Sequence, residues 1–275
     1  MRRLVLVLAD GLRPDAVSPG LMPSLDALGG AFSRAERART VRPSATVAAL
    51  ASLATGVDPE THRLVEPGLG FLPGLGALRP VARELARAGV PTDIVAGTLG
   101  AGAFPVAWAL AAAAGARRLV TAGRRARDVA AAALDQLGAL GEGLLFVYLA
   151  DCDQAGHAHG WMSDTYLAAA AEIDAAIGML SPVADDSVLL VTADHGGGGV
   201  CPTEHDEPHP VNDHIPLVLA GPRVNRNHVL SEPVSLLDVP ATVLWWFGLD
   251  TPACYEGRPI AEAFERAQQP ASLAV

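Results

Sequence analysis

Three apolar segments of the sequence are each followed at once by carboxylate or imidazole side chains. These side chains are Asp10 after the first segment, Asp151, Asp153 and His157 after the second, and Asp194 and His195 after the third. Mixed carboxylate and imidazole ligands suit zinc, and they also suit manganese and other first-row ions. Carboxylates that converge on one place repel each other strongly unless a cation neutralises them. The pattern therefore predicts bound metal, and the set of ligands is large enough for two ions.

A nucleophile is the part still missing from this chemistry, and two hydroxyls could supply it. Two metal ions about 3.5–4 Å apart can clamp the attacking and the leaving oxygen of an in-line displacement at phosphorus. Ser44 and Thr46 lie at the start of a predicted helix, 45–55, where backbone N–H groups also bind phosphoryl oxygens. Hydroxyls at this position commonly cap the helix instead. We favour the capping role for Ser44.

Strands and helices that would position these residues follow from the hydrophobic pattern. The segments Leu4–Leu8, Leu144–Leu149 and Val188–Thr192 are typical of strands buried on both faces of a parallel sheet. The carboxyl ends of parallel strands meet at one edge, which is where ligands bind in open α/β sheets. The four glycines that follow His195 are expected to leave the backbone at this edge free to adopt any conformation.

The rest of the chain alternates between strand-like and helical segments. Further strands are predicted at Thr92–Ala96, Arg118–Thr121 and Leu217–Ala220. Helices are predicted at Met22–Leu28, Ala45–Thr55, Val81–Ala88, Phe104–Ala114, Arg125–Leu140, Thr165–Leu180 and Leu236–Phe247. This alternation predicts an α/β fold of three layers, α/β/α, around a mostly parallel, doubly wound sheet. We expect one domain over residues 1–275, in which the Gly- and Pro-rich segment 64–80 is either a lid or a surface loop.

Composition excludes several classes of function. All 20 basic residues are arginine, so a P-loop lysine and Schiff-base chemistry are excluded. The net charge of −10 argues against binding to nucleic-acid polymers or anionic membranes. No apolar run approaches the length that spans a bilayer, and the run after Arg3 is too short for a signal peptide. The three cysteines imply no disulfide framework. We therefore expect a cytoplasmic protein, whose oligomeric state the sequence does not indicate.

Several motifs, spread in order over most of the chain, resemble those of the alkaline phosphatase superfamily, especially its type I phosphodiesterase/nucleotide pyrophosphatase branch. They are Asp10-Gly11, the nucleophile segment Thr46 to Gly56 with Pro59-Glu60-Thr61-His62 after it, the D-x-x-G-H motif at 153–157, the T-x-D-H-G motif at 192–196, and the C-terminal segment 235–252 with Gly257. The resemblance implies the superfamily's α/β/α core. It also implies that Thr46 is the nucleophile and one of the metal ligands.

The resemblance further implies how two divalent ions, zinc or alternatively manganese, would be held. One ion would be bound by Asp153, His157 and a later histidine, and the other by Asp10, Asp194, His195 and the Thr46 oxygen. The later histidine is assigned to His205, which stands eleven residues before Pro216. His209 is the alternative, and His214 is too close to the following strand. His62 and His159 are expected to be structural or surface residues.

The function implied is a metal-dependent phosphoester hydrolase that acts on a small phosphorylated substrate through a phosphothreonine intermediate at Thr46. Two features depart from the nucleotide-cleaving relatives: the segment 64–67 lacks their asparagine, and the chain leaves little room for a substrate-selecting cap domain. A phosphomonoesterase of the same superfamily and a non-catalytic relative that binds metal or a phosphorylated ligand are the alternatives. The sulfatase branch is disfavoured, because no C/S-x-P-x-R sequence is present.

Overall fold

A computed structural model describes residues 2–65, 78–98 and 103–265, without the side chains of 103–106. Most of the segment predicted as a lid or surface loop, residues 66–77, lies outside the described residues. Within them, nine strands form one sheet. They are β1 (Arg3–Ala9), β2 (Ser33–Arg39), β3 (Thr92–Ala96), β4 (Arg118–Thr121), β5 (Gly143–Leu149), β6 (Val188–Thr192), β7 (His214–Ala220), β8 (His228–Val229) and β9 (Val234–Ser235).

The strand order is β4-β3-β5-β1-β6-β7-β2-β8, and β9 pairs with β2. The five strands from β4 to β6 are parallel, whereas β7 runs antiparallel to both β6 and β2. The predicted α/β fold with a mostly parallel central sheet is confirmed. Because β1 lies between β5 and β6, the three strands that precede the acidic and imidazole residues are neighbours.

Helices pack against this sheet in two groups. In chain order they are α1 (Pro23–Ala31), α2 (Thr46–Thr55), α3 (Pro59–His62), α4 (Val81–Arg87), α5 (Ala103–Ala114), α6 (Ala126–Leu140), α7 (Asp151–His159), α8 (Asp164–Leu180), α9 (Pro210–Asp213) and α10 (Asp238–Trp246). One group consists of α1, α6, α7 and α8, and the other consists of α2, α3, α4, α5 and α10. Both groups contact the strands, as a three-layer arrangement requires.

The central strands owe their position to uninterrupted apolar sequence. Every residue from Leu4 to Ala9 in β1 is buried, and all five residues of β6 are no more than 1% exposed. Burying one such Leu or Val side chain contributes about 1.5–3 kcal/mol. The buried central strands form a rigid platform from which the polar residues at their carboxyl ends project.

Six of these helices and strands were missed by the sequence analysis, and the two longest of them are β2 and α7. The strand β2 has the sequence SRAERAR, whose charged residues hide the hydrophobic pattern typical of a strand. It lies near one end of the strand order, outside the buried centre of the sheet. The helix α7 spans the D-x-x-G-H motif, which has no hydrophobic period of its own. Asp153 and His157 stand four residues apart on α7 and therefore share one face of it.

The stretch Asp164–Asp185 is long and apolar enough, by length and composition alone, to cross a membrane. The expectation that no segment reaches such a length is wrong in that respect. The stretch nevertheless packs like a core helix, because α8 contacts α1, α6 and α7. Its buried Asp174 accepts hydrogen bonds from the backbone N–H groups of Ser24 (3.1 Å) and Leu25 (2.9 Å) at the start of α1.

Candidate metal centre and nucleophile

The carboxylates that follow β1 and β5 are held together by backbone contacts. The N–H of Asp10 donates to the carbonyl of Leu149 (2.8 Å), and the N–H of Asp153 donates to the carbonyl of Asp10 (3.0 Å). Gly11 has a φ of +69°, and a Cβ there would lie 2.9 Å from the Cα of Asp153. Only glycine allows both this backbone conformation and this close approach. The sequence Asp10-Gly11 thus brings two carboxylates to one edge of the sheet.

Thr46 is the first residue of α2, and its side chain faces this acidic edge. Its Oγ1 lies 3.0 Å from His195 Nε2 and 3.5 Å from Asp10 Oδ1. Ala45 occupies the N-cap position, and no side chain caps the helix. The backbone N–H groups of the first turn are therefore without a capping side chain, an arrangement that commonly binds anions.

Ser44 does not cap α2, which corrects the sequence-based expectation. It stands one residue before the N-cap, and its Oγ donates instead to the carbonyl oxygen of His205 (2.5 Å). In return, His205 Nδ1 donates to the carbonyl oxygen of Ser44 (2.6 Å). Ser44 therefore links the loop that carries His205 to the start of α2.

All three histidines of the cluster hold their Nδ1 atom against a backbone carbonyl. His157 pairs with Thr203 (2.8 Å), His195 with Gly196 (2.8 Å) and His205 with Ser44 (2.6 Å). Since a carbonyl can only accept, each Nδ1 carries a proton, and the tautomer that fits this contact has its Nε2 lone pair toward the cluster. This is the tautomer that a metal ligand requires.

Two of these lone pairs face each other across a short distance. His157 Nε2 and His205 Nε2 are 3.1 Å apart, and the His195 and His205 rings are stacked with their centroids 3.9 Å apart. With both Nδ1 atoms protonated, no proton lies between the two Nε2 atoms. Two lone pairs at this distance repel each other, and a cation bound between them would remove the repulsion.

The carboxylates offer free oxygen atoms in the same way. Asp194 Oδ1 accepts from the N–H groups of Gly11 (3.1 Å) and His195 (3.0 Å), whereas its Oδ2 is buried without a hydrogen-bond partner among the described residues. Asp153 Oδ1 is also buried without such a partner, 3.4 Å from His157 Nε2. Buried acceptors of this kind are rare unless an unseen group satisfies them. These atoms fit a cation.

The electrostatics of these side chains agree with this interpretation. Burial raises the pKa of Asp10 well above its usual range, and the neighbouring Asp194 carboxylate raises it further. Burial raises the pKa of Asp194 to about 7. Burial also lowers the pKa of His205, with a further contribution from His195. A divalent cation reverses the carboxylate shifts, because it favours the ionised form of each ligand.

The structure brings together all seven residues assigned to the two metals. The ligand atoms of one group (Asp10, Asp194 and His195) lie within 4.8 Å of one another, as do those of a second group (Asp153, His195 and His205). His157 joins the second group through its Nε2 atom, and Thr46 joins the first through its hydroxyl. Two adjoining groups of this composition fit two divalent ions.

The remaining histidines lie outside the cluster. His209, the alternative ligand, is the N-cap of α9 and accepts from the N–H of Val211 (3.3 Å). His62 is buried and pairs with Ser52 Oγ (3.0 Å), as expected of a structural histidine. His159 is exposed, and His214 begins β7.

The glycine run after His195 serves close packing as well as conformational freedom, since Gly198 has a φ of +76°. A Cβ on Gly197 would lie 2.1 Å from the Trp161 indole, and one on Gly196 would lie 1.9 Å from the carbonyl oxygen of Val211. The Trp161 ring also contacts the His157 ring edge-on, with centroids 5.1 Å apart. The sequence analysis missed Trp161, since a single aromatic residue beside a motif carries no signal of its own.

Tyr148 was missed as well. Its hydroxyl donates to Asp10 Oδ2, whereas Thr46 Oγ1 lies 3.5 Å from the other carboxylate oxygen, Oδ1. Its sequence context, one aromatic residue in an apolar strand, gives no indication of this contact.

Two arginines near the motifs have acidic partners. Arg42 forms an ion pair with the buried Asp213, and Arg13 forms one with Asp15. Arg42 stands four residues before Thr46, and Arg63 directly follows the segment Pro59-Glu60-Thr61-His62. In the structure the charge of Arg42 is offset by Asp213, and Arg63 is an exposed residue at the end of α3.

Two family models match the sequence, and together they include every residue of the cluster. The model described as the metalloenzyme superfamily matches residues 107–251, which is more than half of the chain. The model described as type I phosphodiesterase / nucleotide pyrophosphatase matches residues 4–70. The resemblance drawn from the motifs is therefore confirmed.

Relatives and solved structures agree with these matches. A phosphopentomutase from Kosmotoga olearia is 33% identical over 122 residues, which are 42% of this chain and 29% of the relative. The chain thus matches less than a third of the length of the curated relatives.

An alkaline phosphatase superfamily protein from Vibrio parahaemolyticus has a TM-score of 0.75 at 19% identity, covering 98% of this chain and 71% of that one. An inactive murine ectonucleotide pyrophosphatase / phosphodiesterase 5 in complex with AMP also has a TM-score of 0.75, at 14% identity, covering 96% of this chain and 100% of that one.

Proposed function

We propose, from the premise that this chain belongs to the metalloenzyme superfamily, that it is a metal-dependent phosphoester hydrolase acting through a phosphothreonine at Thr46. The observation that carries the proposal is the position of the Thr46 hydroxyl. It lies at the start of α2 and within 3.5 Å of both His195 Nε2 and Asp10 Oδ1. A nucleophile, the N–H groups of a helix start and a set of metal ligands thus meet at one point.

The donor set supports two divalent ions, with zinc as the preferred ion and manganese as the alternative. One ion would be held by Asp153, His157 and His205. The other would be held by Asp10, Thr46, Asp194 and His195. When bound, such ions polarise phosphoryl oxygens and lower the pKa of the attacking hydroxyl and of water.

The chain's own groups then account for the two chemical steps. In the first, Thr46 Oγ1 gives up its proton to solvent and attacks phosphorus, so that a phosphorus–oxygen bond forms and the bond to the leaving alkoxide breaks. The alkoxide then takes up a proton from solvent. The free N–H groups at the start of α2 orient the phosphoryl group for this attack. In the second step, water attacks phosphorus and the Thr46 oxygen leaves, which releases the phosphoryl product and restores the hydroxyl.

The charges around the site favour a diester over a monoester. A monoester brings one more negative charge, which an additional cation usually meets. Both Arg42 and Arg13 are already paired with carboxylates. The loop that supplies His205 also carries Glu204 and Asp206, whose side chains are 57% and 69% exposed. These carboxylates add negative potential beside the metal ligands and disfavour a dianionic substrate.

We therefore predict a higher kcat/KM for bis-p-nitrophenyl phosphate than for p-nitrophenyl phosphate. The measurement is a side-by-side assay at one pH and one ionic strength, repeated with Glu204→Gln, whose carboxylate lies 4.0 Å from His157 Nδ1. Removing this charge should raise kcat/KM for the monoester more than for the diester. A monoester preference of tenfold or more, about 1.4 kcal/mol in transition-state binding, would contradict the assignment. Arg42 would then be the first residue to replace.

The similarity to phosphopentomutases favours a second candidate, in which the phosphoryl group on Thr46 is passed to a sugar hydroxyl instead of to water. Both candidates share the first chemical step and differ in the acceptor. Phosphorus NMR of a pentose phosphate incubated with the protein separates them. A hydrolase releases inorganic phosphate, whereas a mutase forms the isomeric sugar phosphate without releasing any. A protein that only binds its ligand does neither.

A further inference from the structure

We propose that Tyr148 is a positioning residue that holds Asp10 as a one-oxygen ligand and thereby sets the affinity of one of the two metal sites. This inference rests on the proposed function, because it presupposes that Asp10 binds an ion. It concerns a residue outside the motifs and outside the ligand set.

The contact is made from a rigid place in the fold. Tyr148 lies in β5, in register with Leu8 of β1, and β5 is paired on both sides, with β1 and with β3. Its hydroxyl donates to Asp10 Oδ2. Asp10 itself is 2% exposed, so water does not compete freely for this oxygen. Strand pairing fixes the backbone of Tyr148, and the hydrogen bond from its hydroxyl fixes the orientation of the Asp10 carboxylate.

The two oxygens of Asp10 consequently have different roles. Oδ1 faces the reacting groups, 3.5 Å from Thr46 Oγ1 and 3.4 Å from His195 Nε2. Oδ2 is occupied by the Tyr148 hydroxyl. Without that donor, Oδ2 would be a buried acceptor lacking its partner, and the carboxylate could rotate away from the position that binds an ion.

Two other ligands of the same ion, Asp194 and His195, are held by backbone groups. Asp194 Oδ1 accepts from the N–H groups of Gly11 and His195, and His195 Nδ1 donates to the carbonyl of Gly196. A substitution cannot remove those contacts without moving the chain. Among the described residues, Tyr148 thus makes a supporting contact with this site that a side-chain substitution can remove without moving the backbone.

The test is a zinc titration of the metal-stripped protein in competition with a chromophoric chelator. For Tyr148→Phe we expect one of the two sites to weaken by about tenfold to a hundredfold, the usual effect of losing such a supporting contact, while the other keeps its affinity. Excess zinc should restore kcat. The matched control is Tyr255→Phe, which loses a hydroxyl that donates to the Arg79 carbonyl (2.8 Å), beside Gly56 at the far end of α2. Both sites of this control should titrate as in the unmodified protein.

The outcomes separate this inference from the function on which it rests. If the unmodified protein binds fewer than two ions, the proposed function fails. If it binds two and Tyr148→Phe binds both equally well, the role of Tyr148 is refuted. Should the variant not fold, fluorotyrosine labelling of the unmodified protein decides instead, since the chain has three tyrosines. The fluorine resonance of Tyr148 must then shift on zinc binding while that of Tyr255 stays in place, and an unshifted Tyr148 resonance contradicts the proposal.

Discussion

Replacing Thr46 with alanine is expected to lower turnover by about three orders of magnitude or more, the range seen when an enzyme loses its nucleophile. The fold should persist, because Thr46 is the first residue of α2 and caps nothing. Metal should still bind, since six protein ligands remain. Thr46→Ser should retain part of the activity, because it keeps a hydroxyl at the same place. The measurement is kcat on p-nitrophenyl esters, with metal content and circular dichroism recorded for each variant.

Two alanine variants serve as comparisons. Thr55→Ala, on the same helix, loses a hydroxyl that donates to the Ala51 carbonyl (2.7 Å) and should cost about 1 kcal/mol of stability without affecting turnover. Ser44→Ala loses the contact with the His205 loop, so its activity should fall but remain measurable. An active Thr46→Ala together with an inactive Ser44→Ala would show that Ser44 is the nucleophile.

Removing the metal is expected to abolish activity altogether, and zinc should restore it. In the stripped protein the raised pKa values favour protonated Asp10 and Asp194. A returning ion must displace these protons, so restoration at a given zinc concentration should be more complete at pH 8 than at pH 6. The measurement is activity on p-nitrophenyl esters after treatment with a strong chelator, followed by zinc addition at each pH.

The control for this experiment is the fold of the stripped protein, which circular dichroism should show to be intact, because the core of the sheet consists of apolar side chains. Manganese should replace zinc at least in part. Full activity in protein shown by elemental analysis to be free of metal would contradict the account.

The central part of this arrangement could be predicted from the sequence because it depends on local patterns. Uninterrupted apolar runs identify β1, β5 and β6, and the polar residues directly after each run then fall at one edge of the sheet. The helix predicted over 45–55 is found one residue shorter, as α2. The assignment of His205 required more than a local pattern, because it rested on spacing in a family.

What the sequence did not reveal depends on contacts between distant segments. Ser44 looks like a helix cap, but its partner is 161 positions away. Tyr148 and Trp161 support the cluster through contacts that no local pattern encodes. The strand β2 was missed because its charged residues suit its place outside the buried centre of the sheet, while the single-domain organisation and the cytoplasmic location remain predictions.

The central claim is that two divalent ions lie in the cluster and that Thr46 contacts one of them. Anomalous diffraction from crystals of the zinc-loaded protein, recorded on both sides of the zinc edge, tests it most directly. The account predicts two peaks: one ligated by Asp153, His157 and His205, and the other by Asp10, Thr46, Asp194 and His195. Peaks located elsewhere, or no anomalous signal at this edge of the sheet in protein that is active, would contradict it.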